Sequence, residues 1–510
     1  MRGQAVGALA KLGGNVVALG SVLTGKALIV CGLRRPPEGW RRTLGILLRS
    51  EPTRFALSAF GLHAADAGTA AEGRASVERR LAERLRAYLD GQSDAHFLLE
   101  WRDAVTIRHR TPSVDVVLLR FSASGELQSL EPYFAGEADT DAAERGRVHR
   151  AIIAAYNGTR LLPEIDRPRA VRKSIDSPYA RRVLSACCLS FEEVDLSDPA
   201  FRFRPPSFHA RRTLGFGFLS VVMRLTADRQ TVDVWMSAHH VGLDGVPLQE
   251  LLTGLEQAWG VSHPTVFPAP DCHQPFMAPR RCSVPGERDV DEMLTFVDFS
   301  PVLALREELN ERYAAMVGGP VTFGALLAWL LNGEPAFAGV RVASTVDVAA
   351  SGGYDRDVDV VPLRPADYAT DGDPWAGFVE FAREFNRLIS LSRSRTSPLR
   401  QGMQTAGLLP AWAHAQAVRS NPASLDDAFG SLCVTIVRDA KVFVAPMTDL
   451  GLGRGFFAIG NASLPSVDGR TVTSVSIKGD AGTIAGYPVL LRRVVERSVG
   501  LRQKDMASGV

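Results

Sequence analysis

Two stretches far apart in the chain follow one plan. Residues 231–259 read TVDVWMSAHHVGLDGVPLQELLTGLEQAW, and residues 471–499 read TVTSVSIKGDAGTIAGYPVLLRRVVERSV. Each opens with an alternating strand, in the first case Val232, Val234 and Met236, the period of a half-buried strand. Each then passes a turn ending in glycine and reaches a proline, Pro247 or Pro488, in the first helical turn, where a fixed φ and a missing N–H cost nothing. Each continues as an apolar-striped helix, the first through Leu248, Leu251, Leu252, Leu255 and Trp259. Gly245-Val246-Pro247 corresponds to Gly486-Tyr487-Pro488. The pattern predicts two halves built alike, although two unrelated strand–turn–helix units would read the same way. Only the first copy carries histidines, His239 and His240; the second offers Gly479 and Asp480.

The remaining organisation fits two large α/β modules. At 510 residues the length suits two to four domains or two large ones. A composition of 46% hydrophobic and 22% charged residues is globular. A stretch with six prolines between Ser262 and Val290 reads as an extended linker. The expected division is an N-terminal extension at 1–44, a front module at 45–262, a linker at 263–290 and a back module at 291–510. Ala75–Leu89, with Val77, Leu81, Leu85 and Leu89 four apart, predicts an amphipathic helix. SVDVVLLRFSASGEL predicts a strand and turn, and RVHRAIIAAYNG a helix stopped by Asn157-Gly158. SPYARRVLSACCLSFEEVDL reads as a helix and a strand. In the back part, helices are expected over SPVLALREELNERYAAM, VTFGALLAWLLNGEP and DPWAGFVEFAREFNRLISL, and strands over VRVASTVDVAAS, GSLCVTIVRD and GFFAIGNASL.

Charge and cysteines exclude several classes of function. A formal net charge of +2 implies no concentrated basic field, so no nucleic-acid partner is expected. The six cysteines are scattered, only Cys187 and Cys188 being neighbours, and read as reduced thiols of a cytoplasmic protein. His263, Cys272, His273 and Cys282 match no zinc spacing and no metal is expected. The uncharged run Leu12–Gly25 has 14 residues, short of the about 20 a bilayer span needs. It reads as a buried element or a loosely surface-associated segment, with membrane-surface contact left open.

The histidine pair carries the chemistry. A strand end held by an Asp-Gly turn presents a side chain at an open sheet edge. His-His-x-x-x-Asp-Gly at this composition arises by chance on the order of once in a thousand chains this long. An isolated pair would otherwise read as one core histidine and one turn histidine. His239-His240-Val241-Gly242-Leu243-Asp244-Gly245 resembles the signature of the thioester-dependent acyltransferases with the chloramphenicol acetyltransferase-like fold. That superfamily includes the 2-oxo acid dehydrogenase acyltransferase cores, carnitine and plant alcohol acyltransferases, and peptide-synthetase condensation domains. VDFSPVLALREELNERYAAMVGGPVTFGALLAWLLNGEP is similar to the opening helices of the dehydrogenase cores, and Gly430–Asp439 to their Gly-Thr-Phe-Thr-Ile-Ser segment.

The resemblance implies two such modules in one chain, each a mixed sheet covered by helices, with the site between them. It implies His240 as general base, Asp244 as a structural carboxylate paired with an arginine, and Thr435 as a hydroxyl stabilising the oxyanion. His239 would support the loop, with Gly245 closing it, while Ser237 would either line the same opening or be an ordinary strand serine. The donor would be a coenzyme A or carrier-protein thioester and the acceptor a small molecule with a hydroxyl, amine or thiol. Attack would be direct, with no metal and no acyl-enzyme. Asp449–Gly455, DLGLGRG, resembles a structural Asp-Phe-Gly-Trp-Gly segment of the plant enzymes. No Asp-Lys-Ala lipoylation site and no Gly-x-Ser-x-Gly elbow occur. The competing readings are a catalytically inactive copy of the fold serving as a binding or assembly module, and a membrane-surface lipid acyltransferase.

Overall fold

Two seven-stranded sheets organise the chain. The structure, a computed structural model, describes residues 54–69, 72–102, 105–136, 140–159, 170–171, 175, 177–193, 203–207, 209–239, 242–243, 245–261, 271–277, 290–349, 356–370, 374–394, 401, 408–410, 413, 416, 432–437, 443–444, 455–480 and 482–508. The extension at 1–44 lies outside the described residues. Among the described residues no helix is long and apolar enough to cross a membrane.

The strands of the front half are β1 (Arg54–Gly61), β2 (Phe97–Arg102), β3 (Val105–Arg110), β4 (Val116–Phe121), β5 (Leu127–Tyr133), β6 (Cys187–Glu193), β7 (Leu219–Leu225) and β8 (Thr231–Ala238). Beyond them come β9 (Phe276–Met277), β10 (Val290–Val297), β11 (Val342–Ala349), β12 (Arg356–Leu363), β13 (Leu432–Val437), β14 (Phe443–Val444), β15 (Gly455–Pro465) and β16 (Thr471–Asp480). The front sheet runs β14-β1-β8-β7-β6-β4-β5, and the back sheet β9-β10-β16-β15-β13-β11-β12. In that order the senses agree strand for strand. The first three pairings are antiparallel, the next two parallel and the last antiparallel in both sheets. Two unrelated strand–turn–helix units would not share every pairing, so duplication accounts for the repeat. The fold class is the expected one, two α/β modules each built on a mixed sheet covered by helices.

The helices are α1 (Arg74–Asp90), α2 (Ala142–Thr159), α3 (Pro178–Ser185), α4 (Gly245–Trp259), α5 (Ser300–Tyr313), α6 (Phe323–Asn332), α7 (Pro374–Arg393) and α8 (Tyr487–Ser508). Their starts follow local chemistry: the Ser177 hydroxyl accepts from Ala180 N ahead of Pro178, and Thr322 accepts from Ala325 N. α1 buries Val77, Leu81, Leu85 and Leu89 as their spacing predicts. The stop expected at Asn157-Gly158 is not one, since α2 runs on to Thr159. The Asn157 amide explains this: its Oδ1 accepts from Leu127 N at 2.8 Å and its Nδ2 donates to Leu127 O at 3.0 Å, clamping the helix end to β5. Its polar group is spent on a strand instead of on a turn.

The back half lends an edge strand to the front sheet, and the two halves share a core. β14 lies in the back half of the sequence yet pairs with β1 of the front sheet, so the sheets do not divide as cleanly as the sequence halves. β9 falls within the proline-rich stretch and pairs with β10 at the sheet edge, where proline-flanked strands are tolerated. Between the sheets, Leu57, Val222 and Trp235 of the front pack with Phe276, Leu294, Phe296 and Val472 of the back. This corrects the half-buried reading of β8: every residue from Val232 to Ala238 is buried. The alternation is real, with Val232, Val234, Met236 and Ala238 facing the front core. The other face, with Asp233, Trp235 and Ser237, is covered by the second module in place of solvent.

Candidate functional site

The loop between β8 and α4 is held from both ends. His239 N donates to Phe218 O at 2.7 Å, adding one rung to the β7–β8 ladder. Its own carbonyl then accepts from Gly242 N at 2.8 Å and from Leu243 N at 3.1 Å, so the chain turns at once. His239 is 2% exposed. A Cβ at Gly242 would lie 2.6–2.8 Å from the Cδ2, Cγ and Cβ of Phe218, so only glycine lets the turn pack this closely. Leu243 is seated in the front core with Leu248, Leu251, Leu252, Leu255 and Trp259 of α4. Gly245 is buried as the first residue of that helix. His240 and Asp244, the expected base and structural carboxylate, lie outside the described residues.

α4 in turn is fixed by α1. Tyr88 Oη donates to Leu251 O at 2.6 Å, and Gly254 leaves room for it, since a Cβ there would lie 2.4 Å from the hydroxyl. Burial pushes the Tyr88 phenol up to about 12, so it remains a donor across the ordinary pH range.

Beneath the loop the two sheets meet through polar groups. Ser237 is wholly buried, and its Oγ has no hydrogen-bond partner among the described residues. It shares a strand face with Trp235, which belongs to one buried cluster with Phe296 of the back sheet. Opposite Ser237 on β7 stands Ser220, whose Oγ donates to Arg211 O at 2.6 Å. The Arg211 guanidinium then crosses to the back module, with Nη1 2.7 Å from Glu292 Oε2, while Lys478 Nζ holds the other oxygen at 2.6 Å. All three are buried or nearly so. Burial would raise the Glu292 carboxyl, but Arg211 and Lys478 outweigh it and hold the group at about 2. This triad carries no motif and does not stand out in the sequence. The available signal was Glu292 and Lys478 standing where a strand's alternation points inward.

Thr435 lies on β13, 5% exposed, opposite Ala458 of β15. Cys433, two residues earlier on the same face, and Ala458 both belong to the cluster containing Ala238 and Leu243. Leu432 and Val434 point the other way, into the back module's own core. Ser237, His239, Gly245 and Thr435 therefore lie on elements that pack into the region shared by the two modules. Such a region can present hydroxyls and buried backbone donors to one reactant.

The sequence matches no family model and no curated protein. Solved acyltransferase structures are similar to the chain at low identity. The wax ester synthase/diacylglycerol acyltransferase from Marinobacter aquaeolei VT8 is 11% identical with a TM-score of 0.38, the similarity covering 93% of this chain and 100% of that one. The TRI3 trichothecene 15-O-acetyltransferase from Fusarium sporotrichioides is 10% identical with a TM-score of 0.43, over 91% of this chain and 94% of that one. The dihydrolipoamide acetyltransferase from Azotobacter vinelandii is 15% identical with a TM-score of 0.29, over 42% of this chain and 84% of that one.

Proposed function

We propose that the junction after β8 transfers an acyl group from a thioester, of coenzyme A or of a carrier protein, directly to a hydroxyl, amine or thiol. One observation carries the reading: the sequence His239-His240-Val241-Gly242-Leu243-Asp244-Gly245 joins a buried central strand to a core helix, against the second module.

In this reading His240 takes the proton of the acceptor as its lone pair forms a bond to the thioester carbonyl carbon. General-base help of this kind contributes typically about 10²–10⁴-fold. The charge gathered on the carbonyl oxygen is met by Thr435 Oγ, a donor whose loss costs about 3–4 kcal/mol of barrier in comparable sites. As the C–S bond breaks, the proton passes from His240 to the departing sulfur, which leaves as a free thiol. His239 holds the turn through its backbone, and Asp244 braces the loop away from the reacting atoms. Holding both reactants in line supplies the rest, with no covalent acyl-enzyme.

The test is release of thiol from a panel of acyl-CoA and acyl-N-acetylcysteamine thioesters in the presence of mixed alcohol, amine and thiol acceptors. Acceptor-dependent thiol release and acylated acceptor by mass spectrometry are expected. A chain that releases no thiol from any thioester, or that accumulates an acylated protein, contradicts the reading.

A further inference from the structure

Three polar groups at the seam between the sheets have no hydrogen-bond partner among the described residues: Trp235 Nε1, Ser237 Oγ and Ser476 Oγ. All three side chains are wholly buried. Buried polar atoms are nearly always paired, so three such groups at one place mark where a polar partner belongs.

Strand register brings them together. Across the back sheet Thr435 of β13 stands opposite Ala458 of β15, Ala458 opposite Ser476 of β16, and Ser476 opposite Leu294 of β10. The row faces the front module, since Val475 and Ile477 on either side of Ser476 point into the back core. Leu294 belongs to one buried cluster with Trp235. Ser237 is the next residue on that face of β8, three before His240. Thr435 and Ser476 are two strand spacings apart, about 10 Å, with the Ala458 methyl between them. The row is therefore a small-residue groove with a hydroxyl on each side.

The chemistry of a fitting group is limited. No residue of the row ionises, and the charges beyond it, Lys478 and Glu292, hold each other at 2.6 Å. A charged group buried in the row would be uncompensated. A hydroxyl, by contrast, can accept from the indole N–H and donate to a serine Oγ.

We infer that Trp235, Ser237 and Ser476 bind a hydroxyl on the acyl chain of the thioester donor, several carbons beyond the carbonyl that Thr435 meets. The inference rests on the acyl-transfer reading, which sets the carbonyl at Thr435, and it narrows the donor to a hydroxylated acyl group. A plain chain in the same groove would leave all three groups buried without partners. Sites of that kind discriminate strongly against the analogue lacking the hydroxyl.

The experiment is calorimetric titration of the full chain with S-decyl-pantetheine and with its 3-, 5- and 7-hydroxydecyl counterparts. These thioethers carry the arm common to coenzyme A and carrier proteins and cannot transfer. The 5- or 7-hydroxydecyl form should bind tenfold or more tightly than the plain one. Ser237→Ala and Ser476→Ala should each cut that ratio fivefold or more. Equal affinity for plain and hydroxylated forms overturns the inference and leaves water as the partner of the three groups. Absence of saturable binding by any thioether overturns it, as does a preference unchanged in whichever serine variant folds. Binding is read without turnover, so the two readings fail separately. A chain that prefers the hydroxylated thioether yet releases no thiol from the matching hydroxydecanoyl thioester keeps this site and loses the transfer reading.

Discussion

The junction after β8 and the junction after β16 are the same piece of architecture put to different ends. Each spans six residues, 239–244 and 481–486, between an inner strand and a helix with proline in its first turn. In the back copy the turn satisfies itself. Gly482 takes φ +77 and donates to Asp291 Oδ2 at 3.0 Å, Thr483 N donates to Asp480 O, and Ile484 plugs the space from within. In the front copy, two histidines occupy the turn, and glycine packs it onto Phe218. The strands differ in the same sense. Ten residues before the proline stands Lys478 in one copy and Ser237 in the other. Lys478 is locked in a buried triad with Glu292 and Arg211, whereas the Ser237 hydroxyl has no partner among the described residues. One copy has closed its junction with charge and packing. The other leaves small polar groups facing the shared region.

The largest effect on this contrast should come from Glu292→Ala. It leaves Arg211 and Lys478 buried without their carboxylate, a loss of about 3–5 kcal/mol, read as a lowered urea midpoint with unchanged slope. Acid should dissect the same triad. A carboxyl held at about 2, against 4.5 in the unfolded chain, contributes stability that is present above pH 4.5. That stability is lost as pH falls through about 2. Glu292→Gln should therefore show a flatter loss of stability between pH 4.5 and 2 than the parent chain. Next comes Gly242→Ala, whose Cβ meets the Phe218 ring, at about 1–3 kcal/mol and with impaired transfer. Its back-copy counterpart Gly482→Ala has open space around the Cβ and only a positive φ to resist, about 1–2 kcal/mol. It should leave transfer untouched. Smallest is Ser237→Ala, within about 0.5 kcal/mol by thermal melt, since its hydroxyl makes no hydrogen bond among the described residues.

Much of this was legible because it is local. Helical spacing in α1 and α4 and alternation in β8 are all read within one element. The duplication was visible for the same reason, since a strand, a turn and a helix recur in one order. What escaped is what depends on chain returning from a distance. Nothing near Phe443 says that it will close the front sheet beside β1. Nothing near Asp233 or Ser237 says that their strand face meets a second module and not water. Arg211, Glu292 and Lys478 are single charges in unrelated segments, and only the packing of two sheets makes them one group. At the candidate site, residue types and order identified the loop, whereas the row of Thr435, Ala458 and Ser476 across three strands has no sequence signature.

The measurement that bears most directly on the contrast is the turnover of one acyl thioester and one acceptor, at saturation, by His240→Ala and Asp480→Ala side by side. If only the front junction supplies a base, His240→Ala should fall by about 10²–10⁴ in kcat and Asp480→Ala should stay within twofold of the parent chain. Equal turnover in both variants would contradict the assignment of chemistry to the front junction.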